Sequence, residues 1–404
     1  MKINNNIIFT LFTRVTVIIF GIATSVLIAQ ALGPSGRGEY FYIITLATLA
    51  TQFGNPGLVT SNTYALAKDN SLLPRLAANS FWIALVCGTL AACSVMNFSP
   101  NQNSSHWVDG QVSMITIMVP TMLYGLLASN LFIGMSLFRH YNCFQLGSAT
   151  FQLLGVAVAA WMVWEVNAFL LVSALTGLIA AAVLMAMLAR LNTLTWRFDF
   201  LLFRSNLGYS GRIYVATLLS YGVSRAGVLM LGHFADKGEI GIYSVALQFS
   251  DVLMIVPATV AMVLFPDLLK GQVDRRFAKT MRTTAKIAGL MAVLCVLTGF
   301  VATWIVPAFF GEAFVPAVRV LWWMLPGVFF LSLANIVSQY LATKGTPLAN
   351  VWAWLGALVF LLATSSYLIQ RWGALGAAAN QTMAYILLAI TLIMLAYRHN
   401  RLKE

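Results

Sequence analysis

Apolar stretches of about twenty residues follow one another from Ile7 to Tyr397, and this repetition constrains the fold more than any other feature of the chain. At a rise of 1.5 Å per residue, about twenty helical residues cross the ~30 Å hydrocarbon core of a bilayer. Backbone groups find no water there, so a segment in lipid must satisfy them within itself, as a helix does. The chain therefore reads as an all-α, polytopic membrane protein of about 12 transmembrane helices. The spans fall near 7–31, 40–63, 76–98, 112–137, 143–164, 167–189, 213–234, 241–266, 287–308, 317–342, 348–369 and 375–397.

Composition excludes the soluble alternatives. Charged residues make up 9% of the 404 and hydrophobic residues 60%, against roughly a quarter charged in a soluble domain. The net charge of +12 would suggest nucleic acid in a soluble protein, but here it sits in short loops between spans. Of the twenty-four lysines and arginines, eighteen fall on the face that also carries both termini. Only Arg37, Lys237, Arg319 and Arg371 fall on the other, and Arg14 and Arg225 lie inside spans. The positive-inside rule makes the first face cytoplasmic. The expected setting is the bacterial inner membrane, with membrane lipids rather than nucleic acid as neighbours.

Cys87, Cys93, Cys143 and Cys295 form no spacing motif, so neither a disulfide nor a metal site is expected, and no cofactor. Trp107, Trp161, Trp164, Trp304 and Trp372 fall near the outer interface, where amphipathic rings are favoured. Ala29-Gln30-Ala31 imitates a signal-peptidase site, but the long apolar segment before it and the spans after it predict an uncleaved first helix.

The basic connection from Arg190 to Arg212 divides the chain into an N-lobe, 1–197, and a C-lobe, 198–404, of six spans each. Within the connection, Phe198, Phe200, Leu201, Leu202 and Phe203 alternate with Arg197, Asp199 and Arg204, which suits either an interfacial amphipathic segment or an ordinary charged linker. The lobes resemble each other. Gly38-Glu39-Tyr40 in the first outer turn has a counterpart in Gly241-Ile242-Tyr243. Pro56 and Pro257 follow those tyrosines by sixteen and fourteen residues, and Lys68 and Lys270 by twenty-eight and twenty-seven. The pattern suggests a duplicated six-helix unit in parallel orientation. Each mid-span proline removes a backbone hydrogen bond, so spans two and eight are expected to bend and to line a cavity.

Two charges placed within the spans carry the chemistry. Arg14 lies about 10 Å into the first span, where it either snorkels or faces a cavity. Arg225 lies beyond easy reach of either interface and must find water, a ligand or an opposite charge. Asp251 is the one acidic residue deep in a span. It sits at the same depth across the short turn joining spans seven and eight, so the two side chains are placed to pair. The pair is either a permanent structural bridge or an exchange site, in which an anionic cargo takes the guanidinium and the carboxylate takes a proton or sodium ion. Asn55, Asn62 and Gln152 are the in-span amides proposed to meet cargo, although interhelical hydrogen bonding is the commoner use of such groups.

Leu32-Gly33-Pro34 with Gly38 and Tyr40, Arg14 in the first span, Gly241-Ile242-Tyr243-Ser244 and Phe265-Pro266 together resemble the Wzx-type O-antigen flippases. These form the polysaccharide transporter branch of the multidrug/oligosaccharidyl-lipid/polysaccharide exporter superfamily. The resemblance implies two lobes around a cationic cavity open to each side in turn. The cargo it implies is an undecaprenyl-diphosphate-linked oligosaccharide of lipopolysaccharide synthesis, handed on to polysaccharide polymerase machinery. Relatives that flip lipid II carry more spans and more cavity charges, which argues against lipid II here. A drug or cation antiporter of the same superfamily would favour acidic cavity residues. A membrane glycosyltransferase or polymerase would need catalytic carboxylates or a large outer loop, whereas the longest outer loop, near 99–111, carries only Asp109 and His106.

Overall fold

The computed structural model describes residues 5–96, 109–162, 165–191, 195–270, 272, 275–343 and 347–401. Trp107, Trp164 and the loop around His106 lie outside them. The described residues form helices α1 (Asn5–Gly54), α2 (Leu58–Lys68), α3 (Leu73–Met96), α4 (Asp109–Gly134), α5 (Phe138–Met162), α6 (Val166–Ala189), α7 (Phe200–Phe234), α8 (Lys237–Leu253), α9 (Ile255–Lys270), α10 (Arg276–Ile305), α11 (Pro316–Thr343) and α12 (Pro347–Arg401). Among the described residues, ten helical segments are long and apolar enough to cross a membrane. Two of them, of 46 and 53 residues, are kinked at Gly33 and Gly373 and are long enough to cross twice, which gives twelve crossings.

Local sequence explains these breaks. Gly33 takes a φ of 62°, a conformation glycine adopts without strain, and Pro34 restarts the helix. Gly373, at φ 53°, breaks α12 in the same way. The Glu239 carboxylate accepts the Ala374 N–H at 2.6 Å and so caps the helix that follows, where an anion also meets the positive end of the helix dipole. Asn55-Pro56-Gly57 separates α1 from α2, with Gly57 at φ 80°. Pro257 offers no N–H to the Leu253 carbonyl, and α8 gives way to α9 at Met254.

The chain divides into two compact units. The first comprises residues 1–36 and 43–214, and the second 37–42 and 215–404. The first unit thus runs past residue 198 into α7, and the second takes in the six-residue piece 37–42 that follows the kink at Gly33.

In the first unit, α4 is the central helix, packed against α2, α3, α5 and α6. Its Leu123, Leu127, Leu131 and Phe132 are fully enclosed with Leu58, Leu66, Leu76 and Leu184. A side chain at Gly88 would strike the Pro120 backbone, so α3 and α4 come together only because that position has none. The segment before α7 is clamped to α3. Asn79 donates to the Asp199 carbonyl at 2.9 Å and accepts the Asp199 N–H at 2.8 Å, and the Trp82 indole donates to the Trp196 carbonyl. The Asp199 carboxylate accepts the Leu202 N–H and starts α7. At the end of α2, Asp69 accepts the Ser71 N–H at 2.9 Å, and these Ser71 hydrogen bonds hold its carboxyl below the usual range.

In the second unit α11 is the core helix, packed against α8, α9, α10 and α12. Val337, Tyr340 and Leu341 are buried with Ala357, Leu361, Ala384, Leu388 and Ala389 of α12. The outward face of α10 reads Leu290, Val293, Leu297, Phe300 and Trp304, a 3-4-3-4 spacing of exposed apolar side chains. Such a face suits hydrocarbon and not water.

Candidate functional site

Arg225 is presented by α7 and Asp251 by α8, two helices joined by the turn at Ala235 and Asp236. The guanidinium Nη2 donates to Asp251 Oδ2 at 2.9 Å. The partners differ in environment: the Arg225 side chain is 19% exposed and that of Asp251 51%. One turn before Arg225, Tyr221 lies with its ring centroid 5.7 Å from the guanidinium carbon. Arg225 Nη1 is buried and has no hydrogen-bond partner among the described residues. A buried donor without an acceptor is costly, and an anion presented to it relieves that cost.

Beside the pair the second unit holds a cavity of about 250 Å³. Its walls come from Ser220, Tyr221 and Ser224 of α7, Leu247, Ser250 and Asp251 of α8, Met324, Val328, Leu331 and Asn335 of α11, and Trp354, Gln381 and Tyr385 of α12, with Met254 between α8 and α9. The α11 residues are spaced 4-3-4, so one face of that helix lines the space. The half-helix α8, ended by the proline break, carries Ser250 and Asp251 in its last turn.

The other residues singled out in the sequence lie in the first unit. Arg14 is exposed on α1 and makes no ion pair among the described residues. Asn55 is buried, and its Oδ1 accepts the Leu58 N–H at 3.2 Å, capping α2. Asn62 is buried between Ser80, to which it donates, and Asn206, from which it accepts at 3.0 Å. Gln152 of α5 donates to Ser173 of α6 at 3.0 Å. These three amides are thus engaged in a helix cap or in bonds between segments of the first unit.

Sequence reasoning missed Arg37, which it placed with the outer-loop charges. In the second unit its side chain is buried, donating to Ser244 at 2.8 Å and Gln248 at 3.2 Å. The rings of Phe310 and Phe314 lie 5.3 and 5.8 Å from its guanidinium carbon. The π-type turn Val306–Phe310 and the 3-10 turn Glu312–Phe314 supply those rings. Next to it, Glu39 pairs with Lys237 at 2.7 Å. The flanking glycines were the available signal: a side chain at Gly38 would overlap the Lys237 carbonyl, so Gly36-Arg37-Gly38 marks a close backbone approach.

Comparison with known proteins agrees with this architecture. A family model described as "Polysaccharide biosynthesis protein" matches residues 26–319. A Shigella flexneri protein named "Putative O-antigen transporter" is 22% identical over 412 aligned positions, covering 97% of both chains. Among solved structures, an inward-facing multidrug resistance MATE family transporter of the MOP superfamily superposes with a TM-score of 0.74 at 9% identity, covering 95% of this chain and 94% of that one. The lipid II flippase MurJ in an inward closed conformation superposes with a TM-score of 0.67 at 15% identity, covering 97% and 87%. A multi-pass membrane protein with the fold of MOP-superfamily transporters, the chain belongs to the polysaccharide biosynthesis protein family.

Proposed function

We propose that this protein is a flippase that carries an undecaprenyl-diphosphate-linked oligosaccharide repeat unit from the cytoplasmic to the periplasmic leaflet of the bacterial inner membrane. It works by alternating access, with both termini in the cytoplasm. The observation that carries the reading is the buried Arg225 guanidinium, with Nη1 unpartnered, beside a cavity in a chain of the polysaccharide biosynthesis family. A diphosphate cannot cross hydrocarbon unaided, and arginine offers permanently charged, planar donors for its oxygens.

Asp251 holds the guanidinium when no cargo is present. As phosphate oxygens take over those N–H groups, the half-exposed carboxylate is freed to accept a proton or a sodium ion, which couples cargo binding to an ion. Arg14, exposed on α1, serves as a second cationic contact along the route. The bias of lysine and arginine toward one set of loops supports the orientation. A drug or cation antiporter finds support in the exposure of Asp251, but that carboxylate is already neutralised by Arg225, which disfavours a cationic cargo.

The test is export of surface polysaccharide in a host lacking its own transporter and supplied with this chain. Arg225→Gln and Arg14→Ala should abolish export at unchanged membrane abundance, with Arg14→Lys rescuing in part because fork geometry is lost. Normal export by Arg225→Gln would overturn the reading.

A further inference from the structure

The cavity next to Arg225 has a chemical character of its own. Its serines donate inward to their own helices: Ser220 to the Thr217 carbonyl, Ser224 to the Tyr221 carbonyl and Ser250 to the Ala246 carbonyl. What they leave to the cavity is oxygen lone pairs. Gln381, buried on α12, donates Nε2 to the Val223 carbonyl at 2.9 Å, while its Oε1 is buried without a partner. The Asn335 side-chain amide also makes no hydrogen bond to any described residue. The few polar atoms that the walls offer are therefore mostly acceptors, with one amide able to donate and accept, set among the apolar side chains of Leu247, Met324, Val328 and Leu331 and the rings of Trp354 and Tyr385.

A few acceptors in an otherwise apolar wall call for a ligand that carries donors on an apolar frame. The Arg225–Asp251 pair adds no net charge, so that ligand is neutral where it sits. A bare cation, held by oxygens at about 2.5 Å, is far too small for a space of about 250 Å³. Donor-rich, neutral and compact, with an apolar face for an aromatic ring, describes a sugar ring: its hydroxyls donate to the acceptors while its C–H face stacks on the indole. Resting on the flippase reading above, we propose that the cavity is a saccharide subsite that seats one sugar ring of the cargo. Asn335 and Ser224 meet its hydroxyls and Trp354 its face, so this cavity helps to select which glycan is carried.

The test uses the full-length protein in lipid nanodiscs and saturation-transfer NMR with methyl glycosides of glucose, galactose, mannose, rhamnose and N-acetylglucosamine. Trp354→Leu removes the ring, Asn335→Leu removes the amide and Ser224→Phe fills the space. These positions lie on three helices, so one misfolded variant leaves two. At least one glycoside should give saturation transfer, and each variant that keeps the wild-type unfolding temperature should weaken it by about fivefold or more, the size of one lost ring contact. Signal no greater than in empty nanodiscs, or signal that the folded variants leave unchanged, would overturn the subsite. So would a sodium-specific rise in unfolding temperature over choline that Asn335→Leu abolishes, without any glycoside signal, since a cation would then be the occupant. The polysaccharide export assay separates the two proposals. Glycoside binding lost in the variants, without export, supports the subsite and counts against the flippase. Export with a glycan range that all three variants leave unchanged counts against the subsite alone.

Discussion

The unequal exposure of Arg225 and Asp251 predicts that their single substitutions will not cost the same. At 2.9 Å and an effective dielectric of 20, two unit charges attract by about 6 kcal/mol. With Asp251 half exposed, solvent screening reduces the useful part of this to about 1–3 kcal/mol. Arg225→Met loses that part, but the carboxylate left behind is half exposed and not enclosed by protein, and the buried guanidinium need no longer be desolvated. The net cost should be about 1 kcal/mol or less. Asp251→Ala instead strands a mostly buried cation and should cost about 3–5 kcal/mol. Asp251→Asn falls between, because the amide oxygen still accepts from Nη2. The assay is the thermal unfolding midpoint of detergent-purified protein, completed by the double variant Arg225→Met/Asp251→Ala. That double variant should be more stable than Asp251→Ala alone, since it removes the stranded charge. If Arg225→Met is as damaging as Asp251→Ala, or the two effects simply add, the reasoning from exposure is wrong.

Other outcomes follow from the packing. Arg37→Met keeps apolar bulk between Phe310 and Phe314 but loses the bonds to Ser244 and Gln248, and should lower stability by about 1–3 kcal/mol; an unchanged unfolding midpoint would refute its anchoring role. Gly373→Ala forces a side chain into the left-handed region and against the Glu239 carboxylate, costing about 1–2 kcal/mol from backbone strain alone. The same loss should appear as faster proteolysis of α12. Asn62→Leu breaks the chain Asn206–Asn62–Ser80 and should reduce folded protein in the membrane, with transport per molecule retained; normal abundance with transport lost would instead make Asn62 a cargo contact.

The helical spans, the breaks near Pro56 and Pro257 and the shared depth of Arg225 and Asp251 could all be read from residue order. They depend on local quantities: twenty apolar residues match a bilayer, proline lacks an N–H, and two helices joined by a short turn rise in step. The rotation of a helix about its axis and the identity of its neighbours are not local. Residue order left Asn62 and Gln152 open between cargo and helix contacts, and only packing brought Asn206 and Ser173 to them. Residue order places Arg37 in a turn between spans, yet close approach at Gly38 and the turns carrying Phe310 and Phe314 enclose it. The cavity is assembled from four helices whose lining residues span Ser220 to Tyr385, so no window of sequence contains it. Sequence by itself determined that charges lie within the spans and that two of them share a depth. Tertiary structure decided which is buried, which is exposed and which polar atoms remain unpartnered, because burial and hydrogen-bond saturation are properties of neighbours distant in the chain.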